Sequence, residues 1–164
     1  MSSHIRYIDR TREYYLAEGY NNPYKWAHFE DVPFTRLDKP LSEYCITIVT
    51  SSEVKSRHDK SDEDEPQQLV GNIYDIDSSL KASDLVTDQD LYDRYATNLD
   101  DMDSFFPVTR LHEVVAEGRV GSVAPFFYGL YTSYSQQKNR ETDAPEVLER
   151  CRENGVDAAI LTPI

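Results

Sequence analysis

Cysteine, glycine, tryptophan and positive charge are all scarce in this chain of 164 residues. Its two cysteines, Cys45 and Cys151, stand far apart with no CxxC or Cys/His spacing, which indicates neither a disulfide framework nor a zinc site. They read as reduced thiols. Lys and Arg number 17 against 30 Asp and Glu, and the formal charge of -13 repels phosphate backbones and anionic lipid headgroups. No apolar run reaches the length that crosses a bilayer, and the start MSSHIRYIDR lacks the apolar stretch of a secretory signal. The expected compartment is therefore the cytoplasm, with neither nucleic acid nor membrane as a partner.

What is present suffices for one core burying roughly two-thirds of the unfolded chain's surface. IRYIDRTREYYLAEGY sets Ile5, Ile8, Arg12, Tyr15 and Leu16 at helical spacing, with Gly19 placed to end the helix. Between Asn21 and Pro40 three Xaa-Pro steps hold the chain extended, predicting a wrapping coil anchored by Trp26, Phe29 and Phe34. The expected layout is a helical arm and coil over residues 1–44, then an α/β domain over 45–164 that is incomplete at its C-terminal end.

CITIVTSS, residues 45–52, is a β-branched run of the kind that forms a strand covered on both faces. The charged stretch from Glu53 to Gln68 reads as a solvated loop, where His58 and Asp59 lack a third ligand for a metal. NIYDID, residues 72–77, alternates like a short edge strand. The acids Asp88, Asp90, Asp93, Asp100, Asp101 and Asp103 lack the glycine and glutamate of an EF-hand, so helix capping and a solvated face explain them better than calcium.

The last third is the most regular. FFPVTRLHEVVAEG places Pro107 at a helix start, Val108, Leu111, Val114 and Val115 on one face, and Gly118 past the end. His112 reads as a surface or boundary residue of that helix rather than a base. The apolar run VGSVAPFFYGLY follows. TDAPEVLERCRENG offers Asp143 as a cap with Glu146 three positions on, Val147, Leu148 and Cys151 inward, and Gly155 closing before VDAAILTPI. Helix, glycine and strand thus recur, which predicts an α/β fold with a mostly parallel sheet and flanking helices, the pattern of half a Rossmann-like or flavodoxin-like domain. Val156 to Leu161 reads as a buried core strand. In such sheets chemistry gathers beyond the carboxyl ends of the strands, so the adjoining loop, Thr162 and Pro163, marks the expected site.

Three stretches, WAHFEDVPFTRLDKPLSE (26–43), FFPVTRLHEVVAEGRVGSVAP (105–125) and DAPEVLERCRENGVDAAILTPI (143–164), resemble the selenoprotein B family of glycine, sarcosine, betaine and D-proline reductases, closest to its short, D-proline-reductase-like members. In that family a strand ending Leu-Thr-Pro or Leu-Val-Pro runs directly into selenocysteine or cysteine, then Pro-x-Cys. The resemblance implies that the redox residue belongs directly after Ile164, so that no catalytic group lies within the chain itself, and that a UGA codon read as stop would end the protein there. It also implies reductive carbon-nitrogen cleavage of an amino acid or related compound, with a thiol electron donor and a possible partner reductase subunit. The family often carries Asn where Asp103 stands and His in the segment of Asp88 to Asp93. Neither Cys45 nor Cys151 is expected to take the redox role, and no cofactor or metal is expected. The competing expectation is a non-catalytic module whose acidic, tyrosine-rich surface binds a partner chain.

Overall fold

The computed structural model describes residues 6–23, 25–58, 73–90, 92, 94–95, 97–133 and 135–163. The chain forms two compact units, Met1–Thr35 and Arg36–Ile164. The first contains helix α1 (Tyr7–Ala17), which stops at Gly19, as its spacing predicts. Asp9 accepts from Arg12 at 2.7 Å and pairs with Arg6 at 3.4 Å. No residue of α1 is buried. Trp26, Phe29 and Phe34 are exposed as well, so within their own unit these rings are not buried anchors.

The second unit is built around β1 (Cys45–Thr50), whose β-branched residues are nearly all buried. On one side β1 pairs in parallel with β5 (Ser122–Val123) and then β6 (Phe126–Leu130), two lengths of one run separated by Ala124 and Pro125. On its other side it pairs in parallel with β7 (Ala158–Thr162), from Ile46 opposite Ala158 to Thr50 opposite Thr162. β3 (Ile73–Asp77) is the far edge, antiparallel to β6. The sheet is thus mostly parallel, and the expected edge strand is at an edge.

Alternation along β1 sends Ile46 and Ile48 to one face and Val49 to the other. The first face packs Phe106, Val108, Leu111 and Phe127 under α2 (Val108–Ala116). The second packs Val49, Ile73, Tyr128 and Cys151 under α4 (Ala144–Glu153). This makes helix, sheet, helix layers, and each fully buried apolar side chain contributes roughly 1.5–3 kcal/mol. Tyr128 fastens α4: its hydroxyl donates to the Arg150 carbonyl at 3.1 Å and accepts from Asn154 Nδ2 at 3.1 Å, while Arg150 reaches Asp75 on β3 at 2.7 Å.

Gly118 and Gly155 both hold φ in the left-handed region, +71° and +64°, and end α2 and α4 as the sequence pattern requires. Asp103 caps α2, accepting from the Thr109 N–H at 2.8 Å, and Asp101 accepts from the Asp103 N–H at 3.1 Å. Asp103 thus serves the start of α2 and Asp101 the start of the short turn Met102–Ser104, both capping roles as expected. Among the described residues no cluster of three or more His, Cys, Asp or Glu is arranged to hold a metal. No helix among them is long and apolar enough to cross a membrane.

Four local expectations change. The charged stretch after β1 contains β2 (Val54–Ser56), antiparallel to β4 (Leu85–Thr87), because the isolated Val54 finds a fully buried seat against the core; Asp59 and the rest of the loop to residue 72 lie outside the described residues. Asp143 does not cap α4, since its backbone is already helical and a π turn (Asn139–Asp143) continues back into α3 (Gln136–Lys138). Leu148 is 49% exposed rather than inward. Finally β7, read as a core strand, has β1 as its only partner among the described residues and leaves Leu161 72% exposed. Its apolar composition matched a buried strand, but Ala159, Ile160 and Leu161 are all exposed.

Candidate functional site

β1, β6 and β7 run in the same direction, so their carboxyl ends meet on one rim of the sheet, the place where open α/β folds put their ligands. A cleft of about 610 Å³ opens there. Its floor is Val49 to Ser51 and Leu130 to Ser133, one wall is Ala159 and Leu161 to Pro163, and the other is Asn139, Asp143, Ala144, Val147, Leu148 and Cys151. Thr162 and Pro163, the two residues singled out from the sequence, both line it. Ile164 lies outside the described residues.

Buried polar side chains tie the rim together. Thr50 Oγ1 donates to the Thr162 carbonyl at 2.8 Å and lies 2.7 Å from Ser52 Oγ, tying β1 to β7 at the mouth. Gln89, also buried, donates from Nε2 to the Ser51 carbonyl at 3.0 Å. Thr162 Oγ1 is buried with no hydrogen-bond partner among the described residues. On the helical wall Asp143 is 4% exposed and its Oδ1 accepts from Lys138 Nζ at 2.6 Å. Unpaired, a carboxylate this deep would be costly; its lysine makes it tolerable.

Neither thiol has the surroundings of a nucleophile. Cys151 is part of the cleft wall, but burial pushes its thiol pKa up, away from the reactive thiolate. Cys45 is at the opposite end of β1, where its N–H donates to Asp157 Oδ2 at 2.8 Å and Asp157 in turn pairs with Lys39 at 2.9 Å. His112 sits midway along α2 and is exposed, its Nε2 2.8 Å from the Ser78 carbonyl. His58 is exposed just past β2. The sequence signal missed Gln89 and the Thr50 hydroxyl, which look like ordinary loop and strand residues until the register is known, and it gave Asp143 a capping role instead of a place in the wall.

The family of glycine/sarcosine/betaine reductase selenoprotein B matches residues 8–164, nearly the whole chain. The chain belongs to that family. Among similar proteins are D-proline reductase subunit gamma of Acetoanaerobium sticklandii, 26% identical over 79% of this chain and 52% of the relative, and glycine reductase complex component B subunit gamma of Symbiobacterium thermophilum, 29% identical over 89% of this chain and 34% of the relative. Sarcosine reductase complex component B subunit beta of Peptoclostridium acidaminophilum is 28% identical over 96% of this chain and 36% of its own length. The chain therefore spans about half of the first relative and about a third of the others. No solved structure matches it.

Proposed function

We propose that this chain supplies the substrate cleft of a selenoprotein B reductase subunit, an oxidoreductase part that works with a redox residue placed directly after Ile164. The observation that carries this reading is the convergence of Thr162 and Pro163 on a cleft at the carboxyl ends of three parallel strands. A chalcogen following Pro163 by two positions would stand at the mouth of that cleft. There the selenolate or thiolate attacks the carbon bearing the amine; the carbon-nitrogen bond breaks and the amine leaves with a proton. A second thiol then attacks the chalcogen, the carbon takes a proton, and the two-electron oxidation ends as a selenylsulfide or disulfide that an external thiol donor reduces.

Relatives of this chain are named as a reductase subunit or as subunits of reductase complex components, which supports a partner subunit here too. The nucleotides after the Ile164 codon give the first test: TGA followed in frame by a Pro-x-Cys segment is expected, and any other continuation removes the redox centre from this position. The second is the extended frame expressed with cysteine or selenocysteine, which is expected to show a redox-active pair and thiol-dependent release of amine or ammonia. A frame with no such pair rules the reading out. The exposed apolar side chains Leu148, Ile160 and Leu161 favour the second reading, a partner-binding module; a 164-residue chain that is monodisperse and captures a partner subunit without any redox chemistry would favour it over the first.

A further inference from the structure

We propose that Asp143 is the carboxylate that recognises the substrate's ammonium group, a specificity-determining residue in the wall of the strand-end cleft. The proposal rests on the reductase reading for the amine-bearing class of ligand, and on the fold for the position of the charge. Asp143 and Lys138 are five residues apart. In a regular α-helix such a pair diverges by well over a quarter turn, because each residue advances about 100°. The π turn over Asn139–Asp143, whose hydrogen bonds run from i to i+5, swings the two onto one face and closes the 2.6 Å contact. An inserted residue of this kind disturbs the helix, and its structural result here is a buried carboxylate brought into the cleft wall.

The chemistry of the surroundings fits the role. Asp143 makes no capping hydrogen bond to the start of α4, so its acceptor capacity is not spent on the backbone. A carboxylate offers about four acceptor positions, and Lys138 is bonded to Oδ1. Beside it the wall turns apolar, with Val147 and Leu148 on the helix facing Ala159 and Leu161 on β7. A small molecule whose ammonium adjoins aliphatic carbon places the cation on Asp143 and the carbons on that strip, with the reacting bond toward Pro163. A ligand that lacks the amine brings no donor to the carboxylate, and discrimination follows from the missing charge-assisted hydrogen bond.

The test compares D-proline and sarcosine with their ether counterparts, tetrahydrofuran-2-carboxylate and methoxyacetate, which keep shape and carboxylate but carry no ammonium. Dissociation constants on the full chain, parent and Asp143→Asn, are read by NMR titration. The parent is expected to favour each amine over its ether, and the variant to bind the amines about tenfold more weakly while the ethers stay within twofold. Since Asp143→Asn takes away the negative charge that faces Lys138 and is at risk of misfolding, the double variant Lys138→Met/Asp143→Leu removes both charges and is expected to fold and to lose the preference. Equal binding of amine and ether by the parent, no binding of either, or an unchanged preference in both variants overturns the assignment. Turnover of an amine by the extended frame with Asp143→Asn kinetics unchanged also overturns it and leaves the reductase reading standing. Selective amine binding with no redox-active pair in the extended frame keeps Asp143 in its role and removes the reductase reading instead.

Discussion

The ring of Tyr74 lies directly across Gly129: a β-carbon built on Gly129 would overlap Tyr74 Cζ and its hydroxyl oxygen. The two residues are register partners on β3 and β6. Only glycine leaves room for the ring, which also tilts against Tyr131 with centroids 5.2 Å apart. Gly129→Ala is expected to cost about 3 kcal/mol, the upper end of ordinary overpacking. Adding Tyr74→Ala to Gly129→Ala should recover part of that loss, because the pair shares one space. Chemical denaturation of the four proteins in this cycle measures the coupling, and strict additivity would place the ring elsewhere.

The Tyr74 hydroxyl is buried with no hydrogen-bond partner among the described residues. Burial raises its pKa, with smaller contributions from Tyr131, Glu53 and Asp88. The native state thus holds the proton more tightly than the unfolded chain, whose tyrosines titrate near pH 10. Stability from this group is complete below that pH and falls as pH rises toward the folded value, since the unfolded state then binds fewer protons. Tyr74→Phe removes an unmet polar group and is expected to stabilise the fold by about 1 kcal/mol at neutral pH. The gain should widen above pH 10, a trend that urea titrations at two pH values will detect or refute.

At the opposite end of β1, Asp157 accepts from the Cys45 N–H and pairs with Lys39. The backbone hydrogen bond first, then the one from Lys39, holds its pKa below the usual carboxylate range. A depressed folded pKa means that the stabilisation is present above the unfolded value of about 3.9 and is lost as pH falls through the folded one. Asp157→Asn is therefore expected to be less stable than the parent at pH 7, with the two proteins converging in acid. A stability difference that stays constant down to pH 2 would show that the contact acts without charge.

The layers of this domain were legible because their signals are local. The β-branched run of β1, the Pro107 to Gly118 frame of α2 and the Gly155 stop after α4 each follow from short-range sterics and periodicity, and the parallel sheet follows from their alternation. The edge position of β3 was legible in its alternating polarity. What sequence patterns do not carry is lateral order. Nothing in AAILT distinguishes a strand with two neighbours from one with β1 alone, because apolar composition reports what a strand is suited to contact. The same gap hid β2, whose single buried Val54 sits among charges.

Sequence patterns mark strand ends and not the wall beside them. Thr162 and Pro163, singled out by the rule that ligands gather beyond strand carboxyl ends, line the cleft. Asp143 three positions before Glu146 looks like a capping box, and only the π turn, which depends on how α3 continues into α4, turns it from backbone partner to buried ion pair. Gln89 reaches the rim across 38 residues of chain, a separation beyond any local pattern.

The edge position of β7 can be tested by contrasting two aliphatic residues of paired strands. Ile48 is fully buried and lies opposite Ile160, while Leu161, the next residue along β7, is largely exposed. Ile48→Ala leaves a cavity in the centre of the sheet and is expected to cost about 2–5 kcal/mol. Leu161→Ala removes side chain that is already in water and should stay within about 0.5 kcal/mol. If instead both substitutions cost several kcal/mol in this chain, Leu161 is covered in solution. β7 would then lie inside the sheet rather than at its edge, and the cleft described at its carboxyl end would be filled.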